Sequence, residues 1–311
     1  MSKTKVGVVG LGHMGKFHAR IYSQMAEADF VAVYDNDREV ARKVAEQYGV
    51  RAASSLEEFS DAVDAATVAT PTPWHFEIAK TLLEHGKHLL IEKPIAATTA
   101  QAKELVALAH ERGRILQVGH VERFNPVLDA LEKKLAHPRF IESHRLSPYP
   151  NRSVEIGVVL DLMIHDLEII LHLVRSPVAS IDAVGMSVVS RGEDIANAHL
   201  RFENGCVANI TVSRVNPERV RKIRVFQEDA YVALDYQEQS GEIHRMRDGQ
   251  MRREDLEIEK GDALTRQLRS FVQCCTDGVA PRVSGHAATV ALELATEITQ
   301  CIEAQNAKRK D

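Results

Sequence analysis

Over the first 120 residues, short β-branched apolar runs alternate with longer segments of helical periodicity. The runs are Val6–Val9, Phe30–Tyr34, Ala65–Ala69, His88–Ile91 and Ile115–Val118. Between them, Met14–Ala26, Arg38–Tyr48, Trp74–His85 and Thr99–Arg112 place apolar residues three and four apart, the spacing of one helix face. This alternation predicts βαβ units and a parallel sheet covered on both faces. Ligands of such sheets bind beyond the carboxyl ends of the strands, so the residues just after each run are the candidates for function.

The rhythm changes after Gly119. Helices are expected at Asn125–Leu135 and Val158–Val174. Strand-like runs follow at Ile181–Val189, Ile195–Phe202, Cys206–Arg214, Val220–Gln227, Ala230–Tyr236 and Glu242–Met246. Turn signals such as Glu203-Asn204-Gly205 and Arg247-Asp248-Gly249 separate them, which predicts an antiparallel meander. Asp262–Thr276 and His286–Ala304 read as closing helices. The organisation expected is an α/β domain over residues 1–120 and an α+β domain over residues 121–311, in line with a length of 311 residues.

Charge and cysteine usage narrow the classes of function. Thirty-nine Lys and Arg against 44 Asp and Glu leave a net charge of −5, which offers no general attraction for nucleic acid or an anionic membrane. The amino terminus lacks a signal-peptide pattern, and the longest nearly apolar stretch, Val158–Val174, carries Asp161, His165, Asp166, Glu168 and His172. Cys206, Cys274, Cys275 and Cys301 show no CxxC spacing, so no zinc site or disulfide framework is expected. A cytoplasmic protein with reduced thiols is the expectation.

Gly10-Leu11-Gly12-His13-Met14-Gly15 follows the first strand directly and opens a helix. In a dinucleotide-binding turn of this form, the first glycine allows the tight bend and the second lets the backbone approach a pyrophosphate. The third permits close helix–strand packing, and the helix amino terminus favours the phosphates. Asp35, 20 residues past Gly15, ends the second strand. A carboxylate there accepts hydrogen bonds from ribose hydroxyls and repels a 2′-phosphate, favouring NAD over NADP. The competing reading makes Asp35 a cap for the Arg38–Tyr48 helix, and Arg38 leaves room for NADP.

Further candidates lie at later strand ends. Thr70-Pro71-Thr72-Pro73-Trp74-His75 forms a stiff loop, in which Thr70, Pro71 and His75 are expected near the cofactor. Trp74 either walls a nicotinamide or packs in a core. Glu92-Lys93-Pro94 aims a lysine from a rigid strand end, and the Lys-Pro bond is a candidate for the cis form. Such a lysine can hold a substrate hydroxyl and stabilise negative charge developing on its oxygen. In the second half, Asp161 and His165 stand four apart and share one helix face, with Glu168 and His172 extending the stripe. Polar groups on a buried helix are costly unless paired or bound. His165 and His172, seven residues apart, are separated by about 10.5 Å along a helix axis and cannot share one ion, so no metal is expected. Histidine is suited to moving the proton of a secondary alcohol near neutral pH.

Taken together, the glycine-rich turn, Thr70-Pro71 with His75, Glu92-Lys93-Pro94 and Asp161-x-x-x-His165 resemble the Gfo/Idh/MocA oxidoreductases along essentially the whole chain. The resemblance implies a Rossmann-type parallel-sheet domain followed by an α+β domain with a large, mostly antiparallel open sheet. That sheet is commonly an oligomer interface, so a homodimer or homotetramer is expected. It also implies a catalytic group of Lys93, Asp161 and His165, with the histidine as acid–base and the other two orienting the substrate. The cofactor, NAD, is expected against Gly10, Gly12, His13, Met14, Gly15, Asp35, Thr70, Pro71, His75, Glu92 and Lys93. Gln117–Pro126 and His144–Pro148 further resemble the branch that oxidises the 3-hydroxyl of UDP-N-acetylglucosamine, supplying a 3-keto sugar for lipid A-type amino sugars. A nucleotide diphosphate needs cations, and Arg123, Arg145 and Arg152 are the candidates. A free sugar or inositol is the rival substrate, and a non-catalytic NAD(P)-sensing regulator is the rival class.

Overall fold

The computed structural model describes residues 3–149 and 156–308. Its first half runs β1 (Thr4–Val9), α1 (His13–Gln24), β2 (Ala28–Tyr34), α2 (Arg38–Tyr48), β3 (Arg51–Ala52), α3 (Leu56–Ala62), β4 (Ala65–Val68), α4 (His75–Glu84), β5 (His88–Glu92), α5 (Thr99–Glu111) and β6 (Leu116–Gly119). The six strands form one parallel sheet in the order β3-β2-β1-β4-β5-β6. The chain reverses direction between β1 and β4, which opens the crevice where open α/β sheets bind ligands. Val6, Val8, Leu89, Leu90 and Ile91 are fully buried, as a sheet covered on both faces requires. Helix starts are set by side-chain caps: Asp37 accepts from the Glu39 and Val40 N–H groups, and Thr98 from that of Gln101. Apolar periodicity does not mark Arg51–Ala52 or Leu56–Ala62 as elements. Two residues, or seven, are too few to establish a period.

The second half runs α6 (Pro126–Glu132), β7 (Phe140–Leu146), α7 (Ile164–Val174), β8 (Val178–Met186), β9 (Ile195–Phe202), β10 (Val207–Ser213), β11 (Val220–Phe226), β12 (Ala230–Asp235), β13 (Ser240–Arg247) and β14 (Gln250–Asp255). Its eight strands pair in the order β14-β13-β12-β11-β7-β10-β9-β8. The expected single meander is corrected to two, β8–β10 and β11–β14, joined through β7, which runs parallel to β10 and antiparallel to β11. Ile141, Ile210, Val225 and Val232 face a core that α7 covers. The opposite face is open and carries exposed Lys222 and Arg224.

The chain closes with α8 (Ala263–Asp277) and α9 (Gly285–Lys308). Two compact units result, Met1–Val121 with Asp262–Thr289, and Glu122–Gly261 with Val290–Asp311. The assignment of everything after residue 120 to one domain is therefore corrected. Leu268, Phe271 and Val272 of α8 join Val6, Val8, Ile21 and Tyr22 in one apolar cluster, so this helix completes the core of the parallel-sheet unit. Among the described residues, no helix is long and apolar enough to cross a membrane.

Candidate active site

In the first unit, Gly10 has φ +84°, and its N–H donates to the Tyr34 carbonyl at 2.9 Å. A side chain at Gly15 would overlap the Gly10 carbonyl, so the turn closes only with glycine there. Around Gly12 nothing lies within 4 Å of where a Cβ would stand, which leaves open the cradle that a pyrophosphate enters. Gly12, His13 and Met14 begin α1 with no acidic residue in its first turn. These features fit a dinucleotide.

Asp35 ties this turn to β2. Its carboxylate accepts the Leu11 N–H at 2.6 Å and the Asp37 N–H at 2.9 Å. The cap of α2 is Asp37, not Asp35. Each Asp35 oxygen retains a second lone pair for a ribose hydroxyl.

Beyond β4, Thr70 packs on the glycine turn, with its N and Cγ2 2.7 Å from where a Gly10 Cβ would stand. Pro71 leads into a short 3₁₀ turn, Thr72–Trp74, that hands over to α4. Trp74 is 57% exposed, which removes the core-packing alternative. His75 is 1% exposed, and its two ring nitrogens lie 2.9 Å from the Pro94 carbonyl and 2.8 Å from the Thr70 carbonyl. Burial lowers its pKa below the ordinary histidine value, opposed by the two carbonyls and by Glu92.

At the end of β5, Glu92 pairs with Gly119 of β6, and the Lys93-Pro94 bond is cis, as expected. A Cβ on Gly119 would come within 2.8 Å of the Glu92 carboxylate, which therefore needs glycine beside it. Glu92 Oε1 lies 3.1 Å from Nε2 of His18, a fully buried residue of α1. Sequence spacing alone does not single out His18. The available signal was a histidine three residues past Gly15, on the helix face that also carries buried Ala19 and Tyr22.

In the second unit the helix expected over Val158–Val174 is not uniform. Val159–Met163 form a π turn, and the α-helical part starts at Ile164. Asp161 lies within the π turn and His165 just after it, both half-buried. Single π turns inside helices recur at functional sites. The remaining polar positions are structural. Glu168 accepts from Arg123 Nε at 3.1 Å, and His172 Nε2 lies 3.2 Å from Glu132.

The expectation that Arg123 and Arg145 bind a diphosphate is corrected. Arg123 is 1% exposed and is held by Glu168 and Glu132. Arg145 donates to Asp166 at 2.7 and 3.2 Å and to Glu122 at 3.3 Å, while Arg221 and Asn125 also bond Glu122. Burial alone would weaken the Arg145 charge, but Asp166 and Glu122 hold its pKa above the ordinary guanidinium range. A ligand phosphate would have to displace these carboxylates. Arg152 lies outside the described residues.

The arrangement is shared with known proteins. A family model described as "Oxidoreductase family, NAD-binding Rossmann fold" matches residues 4–120, and one for the GFO/IDH/MocA C-terminal domain matches residues 132–233. UDP-N-acetylglucosamine 3-dehydrogenase of Acidithiobacillus ferrooxidans is 35% identical over 91% of this chain and 94% of its own. A solved structure of that enzyme, GnnA, superposes with a TM-score of 0.93 at 34% identity, covering 98% of this chain and 99% of the other. The scyllo-inositol 2-dehydrogenase (NAD(+)) of Bacillus subtilis is 25% identical over 96% of this chain and 93% of its own. With both family models matched in order, and a relative aligned along nearly the whole length, the chain belongs to the Gfo/Idh/MocA family of NAD-binding oxidoreductases.

Proposed function

We propose that this oxidoreductase oxidises a secondary hydroxyl of a nucleotide sugar, the 3-hydroxyl of UDP-N-acetylglucosamine. The observation that carries the reading is the 35% identity over 91% of the chain with a UDP-N-acetylglucosamine 3-dehydrogenase. NAD supplies the hydride acceptor. Gly10, Gly12 and Gly15 admit its pyrophosphate, and Asp35 accepts from its ribose. His165 takes the hydroxyl proton as the carbon gives up hydride, and returns it in the reverse reaction. Lys93 donates to the reacting oxygen and stabilises the charge that develops there, while Asp161 orients the sugar. Arg152 remains the candidate contact for the diphosphate. The product is a 3-keto sugar, suited to amination towards a lipid A-type amino sugar.

A free polyol is the second reading, favoured by the 25% identity to scyllo-inositol 2-dehydrogenase. A nicotinamide-fluorescence screen of UDP-sugars, free hexoses and inositols with NAD separates the two. Reduction of NAD by UDP-N-acetylglucosamine is expected. Reduction by an inositol or free hexose alone rejects the nucleotide-sugar reading and leaves the family activity standing. No turnover with any hydroxyl substrate, alongside intact NAD binding, points instead to a sensor. We also infer that a second copy of the chain covers the open face of the eight-stranded sheet, giving a homodimer or homotetramer.

A further inference from the structure

Lys93 leaves β5 in an irregular stretch, residues 93–98, where no ladder holds the backbone. Its two flanking residues are each met by a buried histidine. On one side, the Glu92 carboxylate lies over its cross-strand partner Gly119 and meets His18 Nε2 at 3.1 Å. On the other, the Pro94 carbonyl meets His75 Nδ1 at 2.9 Å. His18 belongs to α1 and His75 to α4, helices that lie on opposite faces of the parallel sheet. Right-handed crossovers that run in opposite directions from the switch point put them there.

His75 faces two carbonyls, and a carbonyl offers no proton. A neutral imidazole has one N–H, so only one of its two contacts is a hydrogen bond until the ring takes a second proton. Burial favours the neutral ring. The Thr70 end has other support, since Ala69 N–H donates to the Val9 carbonyl at 2.8 Å and Thr70 packs on Gly10. The Pro94 end sits in irregular backbone, where a tertiary hydrogen bond has most to fix.

We propose that His18 and His75 are positioning residues for Lys93, His75 by donating Nδ1–H to the Pro94 carbonyl after it and His18 by its close contact with the Glu92 carboxylate before it. Neither touches the substrate, and His75 acts beside the cofactor rather than on it. The role rests on the proposed function of Lys93. It also places His18 on the same helix whose amino terminus faces the pyrophosphate, so one element aligns both the cofactor cradle and the lysine.

Amide side chains separate the contacts, because Asn places an N–H near the histidine Nδ1 position and Gln near Nε2. His75→Asn should therefore keep the Pro94 bond, His75→Gln only the Thr70 contact, and His75→Leu neither. Likewise His18→Gln keeps a polar group within reach of the Glu92 carboxylate and His18→Leu does not. Turnover is measured with the sugar that reduces NAD in the screen above, beside NAD affinity and the thermal midpoint of the whole protein. His75→Gln, His75→Leu and His18→Leu should lower kcat by about 10- to 100-fold, with NAD Kd within about twofold. His75→Asn and His18→Gln should recover most of the loss. Should a leucine variant not fold, the Asn–Gln pair at His75 still decides, since both keep a polar amide.

Equal kcat in His75→Asn and His75→Gln overturns the assignment. So does a loss of NAD affinity that matches the loss of kcat in every variant, because that puts His75 in the cofactor cradle. Lys93→Ala is run in parallel. Full turnover in Lys93→Ala rejects the role of the lysine itself, whereas an inactive Lys93→Ala beside fully active histidine variants rejects only the positioning.

Discussion

Lys93 and His165 carry the proposed chemistry, and their loss should act on turnover rather than on cofactor binding. His165→Ala removes the group that exchanges the hydroxyl proton, and is expected to lower kcat by about 10²–10⁴-fold with NAD affinity unchanged. Near-normal turnover in a steady-state assay rejects its role. Asp35 is the residue proposed to set the cofactor. A 2′-phosphate would meet a carboxylate already fixed by the Leu11 and Asp37 N–H groups, so NAD should bind more tightly than NADP in a fluorescence titration. Equal Kd values reject that role. The arginines illustrate what a linear reading misses. Arg123 and Arg145 look like phosphate ligands until Glu168, Glu132, Asp166 and Glu122, drawn from several elements, are seen to neutralise them. Arg145→Met should leave Asp166 buried without its cation and lower stability to denaturant by about 3–5 kcal/mol. Arg152→Ala should instead weaken UDP-N-acetylglucosamine binding and leave stability unchanged. The opposite pattern would return the diphosphate to Arg145.

At the scale of elements, legibility followed apolar periodicity. β1, α2, β9 and β11 each bury a regular apolar face and were evident to within a residue or two. β7 was hidden because Phe140–Leu146 alternates Glu142 and His144 on the open face with Ser143 and Arg145 on the buried one, leaving polar residues on both. β14 was hidden because every residue of Gln250–Asp255 is exposed. The π turn at Val159–Met163 has no signature in spacing. The loop between β8 and β9 is likewise organised by a group that reads as surface charge. Asp194 is fully buried and accepts from the Val188, Val189 and Ser190 N–H groups at 2.6–2.9 Å and from Arg214 Nε at 2.7 Å. Burial by itself would raise its pKa, but these donors hold the carboxyl far below the usual range. A depressed folded-state pKa contributes stability that is complete above the unfolded value, about 3.9, and is lost as pH falls towards the folded value. Acid titration followed by circular dichroism should show Asp194→Asn less stable than the unmodified protein at pH 7, with the gap closing below about pH 4. A gap that stays constant with pH rejects this account.

At the scale of the whole molecule, the second sheet has one face packed on helices and one left open. Antiparallel sheets tolerate water on one side, so openness alone does not call for a partner. The proposed second copy rests on the composition of this face. Phe140, Phe226, Tyr231 and His244 lie side by side on the adjacent strands β7, β11, β12 and β13, with ring centroids 5.7, 5.2 and 4.3 Å apart in sequence. The last pair is stacked at 6°. Aromatic residues are enriched at protein interfaces, and a continuous row of them offers a second copy a ready seam. Flanking charges of both signs, Glu142 with Arg224 and Glu242 with Arg253, suit the polar rim of such a contact. In a two-fold interface each substitution enters twice, so one buried charge is met by its symmetry mate or by the aromatic row of the other copy. Phe226→Glu should therefore convert a dimer or tetramer to a smaller species in sedimentation velocity. NAD affinity should be unaffected, since Phe226 lies in a different compact unit from the glycine-rich turn. Because like charges or a desolvated carboxylate cost several kcal/mol at an interface, the shift should be complete rather than partial. An unmodified protein that sediments as a monomer, or a Phe226→Glu variant with unchanged mass, would show that this face meets water instead.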